Sequence, residues 1–235
     1  MSLKIVGAGH KSKANPKAKI KCARDGKKFF DLALKYLKRS NMASFVISEL
    51  ERTDKMLIIH VNSEGGDTNE YIYPELCKAK GGCLLKADAG PICGKGGCVQ
   101  WSALKNLKVK DRKDKRKGLS KETVRPKVPW AKPKKSELGL SVVEGILPAP
   151  LLLIHEMGHA MQYLTDKKEF LARAKVGMWN FKKPNFAELE QLNVQAIENT
   201  VIMELRQAGV DIGVRWDYFA AGDPVFDDNW TKKLK

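Results

Sequence analysis

Leu152-Leu153-Ile154-His155-Glu156-Met157-Gly158-His159-Ala160 places a His-Glu-x-x-His pattern inside an apolar run. Residues four apart on a helix stand one above the other, so His155 and His159 can offer imidazole nitrogens to one zinc ion, with Glu156 beside them. Zinc prefers a tetrahedral shell. A hydrolytic site uses three protein ligands and leaves the fourth position to water, whose pKa falls to roughly 7. A carboxylate next to the first ligand can take that water's proton and pass it to a leaving amine, the general-base role expected of Glu156. The pattern therefore implies a zinc hydrolase.

The flanks support a helix. Pro148 and Pro150 sit where a helix can begin but not continue, and Ile154, Met157, Gly158, Met161 and Leu164 fall at helical spacing on the face away from the histidines. The histidines are therefore expected to face out of the core, toward a cleft. Gly158 costs about 1 kcal/mol of helix propensity relative to Ala. It is read as a packing contact where another backbone comes close.

A metzincin continuation would need glycine at position 162 and histidine at position 165, where this chain has Gln162 and Thr165. The other histidines, His10 and His60, lie far upstream, so a carboxylate must complete the shell. The run 185–208 reads as a helix that can supply one, with Leu189, Val194, Ile197, Val201, Ile202 and Leu205 at helical spacing and Gly209 stopping it. At about 100° per residue, Glu190 falls among Val194, Ile197 and Val201 on the buried face, Glu198 on its margin and Glu188 on the polar side. A carboxylate in an apolar stripe needs a partner, and a metal is one. Glu190 is the expected third ligand. Glu198 is the second choice, or a group that orients a ligand histidine. Asp166 is a more distant option, and a buried Arg or Lys beside Glu190 is the plainer alternative.

The chain resembles the NleD-like effector metallopeptidases, zinc proteases that bacterial secretion systems deliver into other cells. The resemblance is carried by His155-Glu156-Met157-Gly158-His159-Ala160, by the run from Glu190 to Asn199, by Glu204-Leu205, and by Arg215-Trp216-Asp217-Tyr218. It implies an α+β, zincin-like domain with a small antiparallel sheet, an HExxH helix and a second, Glu-bearing ligand helix. An antiparallel edge strand would lie over the cleft, placed near Val99 to Leu104. In the front half the resemblance implies a helix from Phe45, a strand Met56 to Val61 and a turn at Gly65-Gly66. By the same route Tyr218, or else Arg215, takes the role of donor to the negative charge that builds on a carbonyl oxygen. The alternative is that Tyr218 closes the core and Arg215 pairs with Asp217 or Asp211. The implied partners are protein substrates in a host or rival cell and an immunity protein or secretion chaperone.

The 235 residues, 43% hydrophobic, suffice for one large domain. The net charge of +16 is unevenly spread: residues 1–28 hold nine Lys/Arg against one acid, and residues 105–135 hold fourteen against three. These segments carry more positive charge than the whole chain, so the remaining body is slightly acidic. The expected organisation is a basic, flexible segment over 1–28 and a metallopeptidase domain over 29–235. Pro126, Pro129 and Pro133 mark 105–135 as a basic insertion beside the cleft, reaching toward acidic surface on a protein substrate. Nucleic acid is a less favoured partner, because only Trp101 and Trp130 lie near that insertion and no binding motif accompanies it. A housekeeping zinc protease acting on nucleic-acid-associated proteins is the alternative function. A non-catalytic module with a closed structural ion is disfavoured, since only three ligands are apparent.

The first 21 residues lack a secretory apolar run, and no stretch is long enough to span a bilayer. The expectation is a protein made in the cytoplasm without a signal peptide and secreted by a dedicated system. Cys77, Cys83, Cys93 and Cys98 stand in a near-duplicated pair, with Cys22 apart. Free thiols are the first reading, two disulfides the second and a second zinc the third.

Overall fold

Apolar strands next to glycine-rich turns, followed by long amphipathic runs, dictate an alternation of short strands and helices. The computed structural model describes residues 4–7, 21–62, 69–79, 94–109, 145–177, 186–215 and 224–232. The chain runs β1 (Lys4–Gly7), α1 (Lys21–Leu37), α2 (Asn41–Arg52), β2 (Ile58–Asn62), β3 (Glu70–Ile72), α3 (Pro74–Ala79), β4 (Cys98–Ser102) and β5 (Lys105–Val109). It continues through β6 (Gly145–Leu147), α4 (Ala149–Thr165), α5 (Lys167–Gly177), α6 (Phe186–Asn193), a π turn (Val194–Glu198), α7 (Asn199–Gln207), β7 (Pro224–Phe226) and α8 (Asn229–Lys232). The fold is α+β, consistent with a zincin-like arrangement.

One sheet has the order β1-β2-β4-β3, with β1, β2 and β4 parallel and β3 antiparallel to β4. The other, β6-β5-β7, is antiparallel throughout. Alternation along the strands divides the first sheet's side chains between two cores. Ile59, Val61, Val99 and Trp101 join the main core with residues of α1, α2 and α4, while Ile58, Ile72, Cys77 and Cys98 form a small cluster of their own. Burial on both faces fits the apolar entry to β2, Leu57-Ile58-Ile59, in which Leu57 and Ile59 face the main core and Ile58 the small cluster.

The edge strand is not where the sequence suggested. Residues 98–102 form β4, an inner strand between β2 and β3, and the sheet edge nearest the HExxH helix is the three-residue β3. Three residues are too few to give a periodic signal. The helix from Phe45 and the strand near Met56 correspond to α2 and β2, while Gly65-Gly66 lies outside the described residues. Within the basic first 28 residues, Lys4–Gly7 pairs with β2 and α1 begins at Lys21; within 105–135, only 105–109, as β5, are described. Cys98 is a buried free thiol and Cys77 is buried beside it in the small cluster; the side chains of Cys22, Cys83 and Cys93 lie outside the description. No helix among the described residues is long and apolar enough to cross a membrane.

Helix α4 is buried on every side from Ala149 to Ala160. Its N-cap, Pro148, has no side-chain oxygen, so other elements satisfy the helix start. Asn106 on β5 accepts the Ala149 N–H at 3.0 Å, and the Trp101 indole N–H donates to the Ala149 carbonyl at 2.9 Å. Asn106 also donates to the Leu104, Val225 and Asp227 carbonyls, which fixes the second sheet to the helix start, as Trp101 of β4 fixes the first. The far end of the α6–α7 rod closes at Gly209, whose φ of 81° is open to glycine and strained for other residues. There the Val210 N–H reaches the Leu205 carbonyl and the Gly209 N–H reaches that of Arg206, a Schellman closure.

Helix α2 is capped from two directions. The Ser40 hydroxyl accepts the Ala43 N–H at 3.0 Å and donates to Glu204 of α7 at 2.5 Å, while Glu204 also accepts the Met42 N–H at 3.0 Å. Replacing Ser40 by Ala is expected to lower stability by about 1 kcal/mol, the ordinary value of an N-cap. A urea denaturation midpoint unchanged from the parent would contradict that role.

Candidate metal centre

The four-residue spacing of His155 and His159 on α4 brings their rings edge to face, with centroids 4.9 Å apart. Glu190, on α6, points one carboxylate oxygen at both. Its Oε2 lies 3.0 Å from His155 Nε2 and 3.2 Å from His159 Nε2. A tetrahedral zinc with ligand bonds near 2.0–2.1 Å requires neighbouring donors roughly 3.3 Å apart. All three donor atoms lie within 4.8 Å of one another. Two imidazoles and a carboxylate are also a donor set that zinc accepts. This His-His-Glu cluster has ligand-like geometry and matches the active site of an HExxH-type zinc protease.

The segment from Glu190 to Glu198 grips His155 at more than one atom. Glu198 Oε2 lies 3.0 Å from His155 Nδ1, the ring nitrogen opposite the one that faces Glu190. Asn193 donates from Nδ2 to the His155 carbonyl at 2.7 Å. On a uniform α-helix, positions eight apart differ in direction by about 80°. The π turn, closed by the Asn199 N–H to the Val194 carbonyl, advances less per residue and lets both glutamates reach the same imidazole. Glu198 was expected at the margin of the buried face; it is fully buried, whereas the Glu190 side chain is 18% exposed. The wheel had assumed a regular helix.

Gly158 makes this approach possible. A Cβ there would lie 2.3 Å from Asn193 Oδ1 and 2.7 Å from Ile197 Cδ1. The close neighbours are side chains of the second helix, where the sequence suggested backbone.

Glu156 lies against the sheet edge. Its Oε2 accepts the Tyr71 backbone N–H of β3 at 2.8 Å. The histidines are 2% and 4% exposed, so they are enclosed rather than turned toward an open cleft. The second helix segment and the rings of Tyr71, Tyr73 and Phe170, which cluster with Tyr163 of α4 itself, cover the space around α4, with Phe170 in ring contact with His159. Solvent reaches the three donors mainly from the Glu190 side.

Arg215 is buried and holds Glu198 with two parallel bonds, Nε to Oε1 at 2.6 Å and Nη2 to Oε2. Its guanidinium therefore stands behind His155 on the Nδ1 side, away from the nitrogen that faces Glu190. The expected partners were Asp217, which lies outside the described residues, or Asp211; Glu198, 17 positions upstream, carried no local signal as a partner. Tyr218 lies outside the described residues, as does His10. His60 is on β2, and Asp166 caps α5 by accepting the Glu169 N–H. Sequence reasoning missed Tyr71 and Asn193. Tyr71 acts through a main-chain N–H that leaves no side-chain signature, and Asn193 had only its place one turn after Glu190.

Charge at the centre is lopsided. With the imidazoles neutral, ionised Glu156, Glu190 and Glu198 outnumber Arg215 by two, the charge a divalent cation would cancel. Without a cation, protons take that place. Burial alone would lower His155, but the Glu190 and Glu198 carboxylates override it and raise it to about 10. Burial would raise Glu190 and Glu198, yet the imidazoles hold Glu190 far below the carboxylate range, and Arg215 with His155 brings Glu198 down to about 2. Glu156 is raised, by burial first, with His155 and His159 opposing.

Comparisons with family models, with curated proteins and with solved structures returned no match for the chain. The resemblance to NleD-like peptidases therefore rests on its motifs alone.

Two outcomes are expected. Ala at position 158 gains about 1 kcal/mol of helix propensity, but overpacking against a pinned neighbour costs roughly 1–3 kcal/mol, so Gly158→Ala should lower thermal stability. A raised melting temperature would show that the two helices are less tightly apposed. In the metal-free protein, His155 contributes stability that is complete below 6.5 and lost as pH rises through about 10; the raised Glu156 acts in the same direction. Glu198 contributes stability that is present above 4.5 and lost as pH falls through about 2. Chelator-treated protein should accordingly be most stable between about pH 4.5 and 6.5. Denaturation midpoints that climb steadily above pH 7 would contradict this.

Proposed function

We propose that this chain is a zinc-dependent endopeptidase that cleaves proteins of a host or rival cell, delivered there as a bacterial effector or toxin. The observation that carries the catalytic reading is the convergence of His155 Nε2, His159 Nε2 and Glu190 Oε2 on one point. These three residues would hold the ion, with no fourth protein ligand among the described residues. When bound, zinc supplies a Lewis acid that lowers the pKa of a water to roughly 7 and polarises a carbonyl.

The chain's own groups divide the remaining work. Glu156 takes a proton from the attacking water and returns it to the leaving amine, which requires a carboxylate that is fixed yet able to exchange a proton. The Tyr71 N–H supports that role by holding one oxygen, Oε2, and leaving the other for the transfer. A raised proton affinity, caused chiefly by burial, also suits a group that must accept a proton near neutrality. Burial of the histidines keeps bulk water from the ligands, and the exposed side of Glu190 gives the substrate its approach. Tyr218 keeps the oxyanion-donor role that the resemblance assigns it. Delivery into another cell also follows from that resemblance.

Purified protein is expected to carry about one zinc per chain, and Glu156→Gln should retain the metal while losing about 100- to 10,000-fold in turnover, the usual contribution of a positioned base. Metal analysis and cleavage of an unfolded protein substrate measure the two separately. Turnover by Glu156→Gln at the parent rate would end this reading.

A further inference from the structure

Glu198 and Arg215 are both fully buried yet belong neither to the three metal donors nor to the proton-transfer group. A buried ion pair is a weak source of net stability, because desolvation offsets much of the attraction. Its placement is specific, however. Arg215 engages both oxygens of Glu198, which fixes the carboxylate plane, and Oε2 of that same carboxylate meets His155 Nδ1 at 3.0 Å. A bidentate guanidinium–carboxylate pair is directional in a way that a lysine contact is not.

We propose that Glu198 and Arg215 are positioning residues that set the metal affinity of His155, the pair aiming the imidazole and fixing which of its nitrogens faces the metal. Glu198 Oε2 stands 3.0 Å from Nδ1 as a close ion-pair contact rather than an aligned hydrogen bond; its charge favours the ring proton on that side, and the opposite nitrogen, Nε2, faces Glu190. Asn193 holds the His155 carbonyl at 2.7 Å, so main chain and ring are restrained by one helical segment. Arg215 comes from the stretch that follows α7, not from that segment. Arg215 engages both Glu198 oxygens, whereas His155 meets only one of them, so the guanidinium sets the rotation of the carboxylate. Hydrogen-bond partners of ligand histidines commonly change metal affinity or activity by about 10- to 100-fold.

This inference rests on the zinc reading, and the test separates the two. Zinc affinity is measured by chelator competition on the full chain for the parent, Glu198→Gln, Glu198→Asp and Arg215→Lys. The measurement is made at a temperature where circular dichroism shows each variant folded. Glu198→Gln should bind zinc about 10- to 100-fold more weakly. Glu198→Asp keeps the charge but withdraws it from the ring, and Arg215→Lys keeps the charge but loses the paired geometry; both should fall between Glu198→Gln and the parent. The visible spectrum of the cobalt(II)-substituted protein should shift in Glu198→Gln, reporting altered ligand geometry. A purely structural ion pair would instead lower melting temperatures while leaving zinc affinity and the cobalt spectrum of the folded protein unchanged. Zinc affinities within about twofold of the parent in all folded variants would overturn the inference, well below the usual effect of such partners. A parent that binds no zinc at all would overturn the proposed function itself.

Discussion

The distance at which the segment Glu190–Glu198 crosses α4 governs this centre. That segment supplies a carboxylate to each nitrogen of one imidazole and an amide to the carbonyl of the same residue. Those contacts need the second helix to sit within side-chain reach of the α4 main chain, and the missing side chain at Gly158 is what permits it. A π turn then resolves the angular mismatch that an eight-residue spacing creates on a regular helix. Close approach and local unwinding are two parts of one solution to delivering two carboxylates from one rod to one ring.

The same crowding creates an electrostatic cost that the cluster must meet. Isolated ionised groups are expensive to bury, and here three carboxylates share a space from which water is largely excluded. Arg215 neutralises one of them. A proton on His155 or a divalent cation helps cancel the remainder, so acid and metal compete at that ring. The shifts of His155 upward and of Glu190 and Glu198 downward describe the proton-loaded side of that competition.

Much of this was legible in residue types and spacings. The HExxH run, its helix start at the prolines, the helical stop at Gly209, and Gly158 as a contact point all follow from short-range rules that operate within a turn or two of chain. Glu190 and Glu198 stood out as acids in an apolar stripe. Their depths were not legible, because a helical wheel presumes uniform winding and the π turn breaks it. Arg215 is 17 positions beyond Glu198, and long-range pairing of that kind depends on how the chain returns after α7. The edge strand β3 was misplaced because a three-residue strand is defined by its neighbours rather than by its own pattern. The motif-based resemblance gives a chemistry, but no matched relative supplies a target or a delivery route.

The bond from Tyr71 to Glu156 uses an amide that every residue except proline carries. As far as this bond is concerned, evolution can exchange the side chain at position 71 freely, within the limits of the aromatic packing around it, without loosening the base. Related chains could thus share the support while diverging at the very position that provides it. Its signature would be the exclusion of one amino acid, proline, and not the persistence of any.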